Sequence, residues 1–210
     1  MDVKTAFLHG DLEERILMNQ PEGFIKKGDE NKVCLLKKSL YGLKQSPRQW
    51  NLKFDCFMKS QQFIRSKEEP CVYMRNVNTE QAVYLLLYVD DMLIASGDKQ
   101  EIRRVKESLN KEFEMKDLGK ASRILGMDII RDRTKGTLVL SQENYLEKVL
   151  KSFGMSEAKE VTTPTSTQFK LKSLTKDQKE EEGRHMENIP YASAVGSLMY
   201  LSLIHISEPT

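Results

Sequence analysis

Two adjacent carboxylates, Asp90 and Asp91, interrupt the apolar run "AVYLLLYVDDMLIAS" at residues 82–96. Charged groups beside a core strand cost free energy unless something compensates them. Two chemistries suit the pattern. Asp is favoured in tight turns because its carboxylate bonds nearby backbone N–H groups and it tolerates left-handed dihedrals, so the pair can be a hairpin turn. Clustered acids also repel one another unless a cation neutralises them, and Mg²⁺ takes a few carboxylates together with waters and phosphate oxygens. Continuous apolar segments on both sides imply a buried hairpin. A third carboxylate, Asp2 in "MDVKTAF", lies at the end of an expected strand. Asp2, Asp90 and Asp91 together could hold two ions about 3.5–4 Å apart, one activating a 3′-hydroxyl and the other stabilising pyrophosphate as it leaves. Spacing along the chain leaves both readings open.

The elements that must position these residues follow from periodicity. "MDVKTAFLHG" reads as a strand running into a turn. In "SPRQWNLKFDCFMKS" Ser46 is expected to cap a helix, with Pro47 at its first position and Gln49 completing a capping box. Trp50, Phe54, Phe57 and Met58 recur at helical spacing and form its core face. The segment from Cys71 to Ser96 reads as strands with turns at "NVNTE" and near the aspartates. Asp98 and Glu101 form a second capping-box pattern before a helix whose inner face is Ile102, Val105, Leu109 and Phe113. "RILGMDIIRDRTKGTLVLS" reads as a hairpin turning at Lys135–Gly136, followed by a short helix starting at Ser141 with Tyr145, Leu146, Val149 and Phe153 inward. Strands and helices mix without a βαβ repeat, so the fold class is α+β rather than a doubly wound sheet.

The bulk numbers narrow the class. The chain has 210 residues, 30% charged and 39% hydrophobic, enough for one sizeable core or one domain plus part of another. The net charge of +2 does not argue for a nucleic-acid partner. Residues 26–67, however, carry eleven Lys or Arg against three acids, which is either a solvated face or a phosphate-facing surface. Cys34, Cys56 and Cys71 fit neither a disulfide framework nor a zinc site, and a reducing compartment is the simpler reading. His9, His185 and His205 make no metal-ligand cluster. The start lacks a signal-peptide pattern, and the longest apolar run is too short to span a bilayer, so no membrane partner is expected.

Taken together, "MDVKTAFLHGDLEERILMNQPEGF", "CLLKKSLYGLKQSPRQW", "LLLYVDDMLIAS", "FEMKDLGKASRILGMDI", "LSQENYLEKVLKSFGM" and "YASAVGSLMY" occur in an order and spacing that resemble the reverse transcriptase of Ty1/copia-type LTR retrotransposons. The likeness covers residues 1–200. It implies a truncated right-hand polymerase: fingers and palm over residues 1–140, N-terminally incomplete; the start of the thumb or connection at 141–157; a polar linker at 158–189; and a helix at 190–201. Residues 202–210, "SLIHISEPT", depart from the family pattern and read as a non-native tail.

The resemblance also implies the chemistry. Asp2, Asp90 and Asp91 are the expected catalytic, metal-binding carboxylates, with two Mg²⁺ ions that Mn²⁺ can replace. Phe7, five residues past Asp2, is expected under the sugar of the incoming dNTP, where it excludes a 2′-hydroxyl; Gln45 is the expected polar contact to that nucleotide. Tyr88 is expected at the primer end, and Lys44 and Arg48, with Lys4, near phosphates. The expected partners are an RNA or DNA template-primer, dNTPs, and the RNase H, integrase and protease regions of a parent polyprotein. Localisation is expected to be cytoplasmic, in virus-like particles for an intact element. The alternative is a catalytically inactive remnant that at most binds nucleic acid.

Overall fold

The computed structural model describes residues 1–161, 173, 175, 186, 187 and 189–205. The chain divides into two compact units, Met1–Ala121 and Ser122–Thr210. Most of the expected linker and the end of the expected tail lie outside the described residues.

The first unit is built on a six-stranded sheet. Its strands are β1 (Asp2–Val3), β4 (Ile64–Arg65), β5 (Val72–Arg75), β6 (Val83–Tyr88), β7 (Asp91–Ser96) and β8 (Met115–Lys116), in the order β4-β5-β6-β7-β1-β8. Every neighbouring pair is antiparallel. A short ribbon, β2 (Leu17–Met18) with β3 (Cys34–Leu35), stands apart from it. Two helices, α1 (Ser46–Ser60) and α2 (Lys99–Glu112), supply the rest of the core.

In β6, Val83, Leu85 and Leu87 are buried while Tyr84 and Tyr88 are exposed. The apolar run around Asp90 and Asp91 is therefore covered on one face only, which corrects the expectation of a buried hairpin. An antiparallel sheet can leave one face open to water, so an unbroken apolar run does not require two-sided burial.

The covered face meets α1 and α2. Trp50, Phe54 and Met58 of α1 are buried with Val105 and Leu109 of α2 and with Phe113, which follows it; Phe57 is partly buried against this cluster. The rings interlock edge to face: Trp50–Phe113 centroids are 5.2 Å apart, Phe54–Tyr73 5.6 Å and Phe57–Phe113 5.2 Å. Gly10 lets the preceding segment close onto α1. A Cβ there would stand 3.0 Å from Gln49 Cβ and 3.1 Å from the Trp50 backbone nitrogen.

The helix starts differ from expectation. Ser46 is the first residue of α1, not its cap, and Pro47 is the second; Gln45 precedes the helix and makes no side-chain cap. The buried Ser46 hydroxyl donates to the Leu40 carbonyl at 2.6 Å, so tertiary burial takes it away from the cap role. Gln49 likewise forms no capping box and packs in the interior at 7% exposure. Asp98 does cap α2, accepting from the Gln100 N–H at 2.7 Å. Glu101 does not reach back to it. The Asp98 N–H donates to Ser96 Oγ, while Glu101 pairs with Arg75 and Arg104.

The second unit contains β9 (Arg123–Ile124), β10 (Met127–Asp132) and β11 (Thr137–Ser141), ordered β11-β10-β9. The hairpin closes with Asp132 opposite Thr137, around the expected turn. Helix α3 (Glu143–Ser152) follows, with Gln142 at its N-cap rather than Ser141; Ser141 Oγ accepts from the Glu143 N–H at 3.2 Å. None of the helix's residues is buried, and Leu146 is exposed, so the expected inward face is only half covered. The last helix, α4 (Tyr191–His205), runs past residue 201, so residues 202–205 of the expected tail are helical. The helix-forming "LSLIH" continues the preceding pattern with no breaker. Among the described residues no helix is long and apolar enough to cross a membrane.

Candidate active site

The two-residue link between β6 and β7 is Val89–Asp90, with Tyr88 paired to Asp91. Only Val89 of the two has positive φ, at 57°. A glycine ordinarily fills such a first central position. For a β-branched residue it is a true outlier, costing about 1–3 kcal/mol. The turn is nevertheless held on both sides. The Asp90 carbonyl accepts from the Val3 N–H at 2.9 Å, and Met1 and Met92 exchange two hydrogen bonds, at 2.9 and 2.8 Å. On the other side the Trp50 indole Nε1–H donates to the Val89 carbonyl at 2.6 Å.

This pairing brings together carboxylates 89 positions apart. Asp2 stands directly opposite Asp91. Because the hydrogen bonds run from the flanking Met1–Met92 and Val3–Asp90 positions, Asp2 and Asp91 form a non-hydrogen-bonded pair. In such a pair the side chains share a face and approach most closely, with Cβ atoms about 4.5–5.5 Å apart. On its other side Asp2 is opposite Lys116. One cross-strand row on the open face of the sheet thus reads Tyr88, Asp91, Asp2, Lys116, with Asp90 in the adjoining turn.

The electrostatics follow from this register. Burial pushes the Asp91 carboxyl above its ordinary value, and the charges of Asp90 and Asp2 push it the same way, partly offset by the amino terminus. The amino group of Met1 is lowered, chiefly by its own burial. The three carboxylates are therefore mutually repelling oxygen donors, and all three are half-buried. Their chemistry suits a hard cation such as Mg²⁺. As they stand, no group of three or more His, Cys, Asp or Glu among the described residues closes around an ion.

The other expected residues fall into two places. Phe7 lies in the 3₁₀ turn Ala6–His9 that follows β1, half-buried, with its ring 4.8 Å from Tyr41. Gln45 stands just before α1, and its amide donates to Glu14 Oε2 at 3.3 Å. Lys44 and Arg48 flank it and are exposed. Tyr88 is 54% exposed at the end of the row. Lys4 is tied to Glu114 at 2.5 Å, which occupies its charge locally. His9 packs on Trp50 and Phe113, at 5.9 and 5.5 Å.

Two residues join the site that sequence reasoning left out. Lys116 enters only through the pairing of β1 with β8, for which the chain offers no local signal. Trp50 reads by helical spacing as a core residue, and it is one at 2% exposure, yet its polar edge reaches the aspartate turn. The need of a buried indole N–H for a partner was the available hint.

Comparison with known proteins decides the lineage. Residues 1–167 match the family described as reverse transcriptase (RNA-dependent DNA polymerase). The chain belongs to that family. Within it the chain is of the Ty1/copia type. It is 55% identical over 200 residues, 95% of its length, to the retrovirus-related Pol polyprotein from transposon TNT 1-94 of Nicotiana tabacum. It is 36% identical over 202 residues to that from transposon RE1 of Arabidopsis thaliana, and 34% identical over 201 residues to a putative transposon Ty5-1 protein of Saccharomyces cerevisiae. The chain spans 15%, 13% and 62% of these three relatives, respectively. No solved structure matches it.

Proposed function

We propose that this reverse transcriptase chain carries the nucleotidyl-transfer centre of an RNA-directed DNA polymerase, with Asp2, Asp90 and Asp91 as its catalytic carboxylates. The supporting observation is the placement of Asp91 opposite Asp2 as a close, non-hydrogen-bonded pair, with Asp90 in the adjoining turn. In this reading the six-stranded sheet with α1 and α2 is the palm, the β2–β3 ribbon belongs to the fingers, and α3 begins the thumb or connection.

Asp2, Asp90 and Asp91 would hold two Mg²⁺ ions, for which Mn²⁺ can substitute. Bound there, such ions favour the ionised 3′-hydroxyl of a primer and neutralise the departing pyrophosphate. The carboxylates fix geometry and take no part as nucleophiles. Phe7, braced by Tyr41, would be the aromatic wall that a 2′-hydroxyl strikes, so that a dNTP is preferred. Gln45 offers an amide to the incoming nucleotide, and Tyr88 lies beside the pair, where the primer end would rest. Lys44, Arg48 and Lys116 are cations suited to phosphate, and residues 26–67 extend that surface along a template-primer. The parent protein would carry protease, integrase and RNase H regions and work in cytoplasmic particles.

The competing reading is an inactive remnant that at most binds nucleic acid; among the described residues no three of His, Cys, Asp or Glu are grouped to hold a metal ion. Templated primer extension with Mg²⁺ or Mn²⁺ separates the two when this chain is carried within a full-length Pol polyprotein. Asp90→Asn is expected to abolish extension while the protein stays folded. Unchanged extension by that variant would remove the assignment.

A further inference from the structure

The geometry points to Trp50 as a positioning residue: its indole N–H holds Val89 in the left-handed conformation from which Asp90 and Asp91 are presented. The inference rests on the reading of those aspartates as the catalytic carboxylates.

Val89 is β-branched at φ 57°, in a link that contains no glycine. Such a conformation persists only where its surroundings over-determine it. The Val89 side chain does not supply that constraint, because it is 40% exposed. Its carbonyl does, through the 2.6 Å bond from Trp50 Nε1. The donor is itself fixed. Trp50 is 2% exposed and its ring is wedged by Phe54, Phe113 and His9, at centroid distances of 5.5, 5.2 and 5.9 Å. A buried N–H without an acceptor is costly, so the bond constrains both partners.

The consequence is a clamp. Val3 of β1 holds the Asp90 carbonyl, and Trp50 of α1 holds the Val89 carbonyl one residue earlier. The two successive carbonyls of the turn are thus fixed by two separate elements. Helix α1 also begins beside Gln45, the proposed nucleotide contact, so one rigid element sets the position of both that contact and the aspartate turn.

Trp50→Phe removes the N–H and keeps an aromatic ring. Native-state amide exchange of the 210-residue chain is expected to rise about tenfold at Val3 and Met92, whose N–H groups close the turn onto β1, while amides of β5 keep their protection. Adding Val89→Asn to Trp50→Phe is expected to restore protection, because Asn tolerates positive φ without the tie. A general packing defect would loosen the sheet evenly and would not be rescued. Unchanged exchange at Val3 and Met92 in Trp50→Phe, or an even increase without rescue, overturns the proposal. If Trp50→Phe does not fold, Val89→Asn alone gives the answer. It should slow exchange at the turn, and faster exchange there would overturn the inference.

A second arm tests the reading beneath it. Mn²⁺ titrated into the wild-type chain should broaden resonances around Asp2, Asp90 and Asp91, and Trp50→Phe should weaken that binding several-fold, with recovery on adding Val89→Asn. If wild type gathers no Mn²⁺ there while the exchange arm succeeds, the metal reading fails and the positioning role falls with it. If wild type binds Mn²⁺ and Trp50→Phe binds it equally well, the positioning role alone fails.

Discussion

Replacing Asp91 by Asn should make the metal-free protein more stable at neutral pH. The substitution keeps the shape of the side chain and removes one of three clustered negative charges. Asp2 lies directly across from it, which sets the Cβ atoms about 5 Å apart, and Coulomb repulsion between unit charges at about that distance in a water-like medium is about 0.8 kcal/mol. Asp90 adds to this and the Met1 amino group offsets part of it, so about 1 kcal/mol is the expected gain at low salt. For a unit of this size that corresponds to a rise in Tm of about 4 °C. The pH dependence has a fixed sign. Burial, then Asp90 and Asp2, raise the Asp91 carboxyl above its ordinary value of 3.8, so its ionised form opposes folding. The penalty is complete above the raised value, fades as pH falls through it, and is gone below 3.8, where folded and unfolded chains are both protonated. The advantage of Asp91→Asn over wild type should follow the same course and shrink with added salt. Millimolar Mn²⁺ should reverse the order, stabilising wild type and leaving the variant unmoved. Thermal melts across pH, salt and Mn²⁺ measure all of this. A variant no more stable than wild type at neutral pH and low salt, without divalent ions, would refute the clustered-charge argument.

Other outcomes follow from the core. Glu101→Ala should cost about 3 kcal/mol in urea denaturation, because it removes the carboxylate, only 6% exposed, that Arg75 Nη2 bonds at 2.9 Å and leaves that half-buried cation to the Gln61 carbonyl and the Phe63 ring. Glu101→Gln should cost less, since an acceptor remains. Tyr73 should resist ionisation in the folded protein. Burial pushes its hydroxyl up to about 12, so ultraviolet titration should show its ionisation delayed to about that pH. Stability should accordingly decline as pH climbs from 10 towards that value, because the unfolded chain releases this proton first.

Much of the architecture was legible along the chain because it is governed by local rules. The helical spacing of Trp50, Phe54 and Met58 is a property of α1 alone, and Asp98 caps α2 through its own backbone neighbourhood. A turn near the aspartates follows from two apolar segments with a short polar break, but it falls one residue earlier than the acidic pair, at Val89–Asp90, with Asp91 already in β7. Local rules failed where a distant group competed for the same atoms. Ser46 has the chemistry of a cap and gave its hydroxyl to Leu40, and Glu101 gave its carboxylate to Arg75. The face of β6 that stays open could not be read from composition either, since Tyr84 and Tyr88 are apolar enough to pass for core.

By itself, then, the sequence determined the family, the mixed order of strands and helices, and three carboxylates worth grouping, because residue types and short-range periodicity carry that information. Only the tertiary structure decided that Asp2 faces Asp91 rather than Asp90, that Lys116 ends the same row, and that Trp50 reaches Val89. Each of these depends on strand register or on packing between positions far apart in sequence. A shift of one residue in the pairing of β1 with β7 would have turned Asp2 to the other face of the sheet.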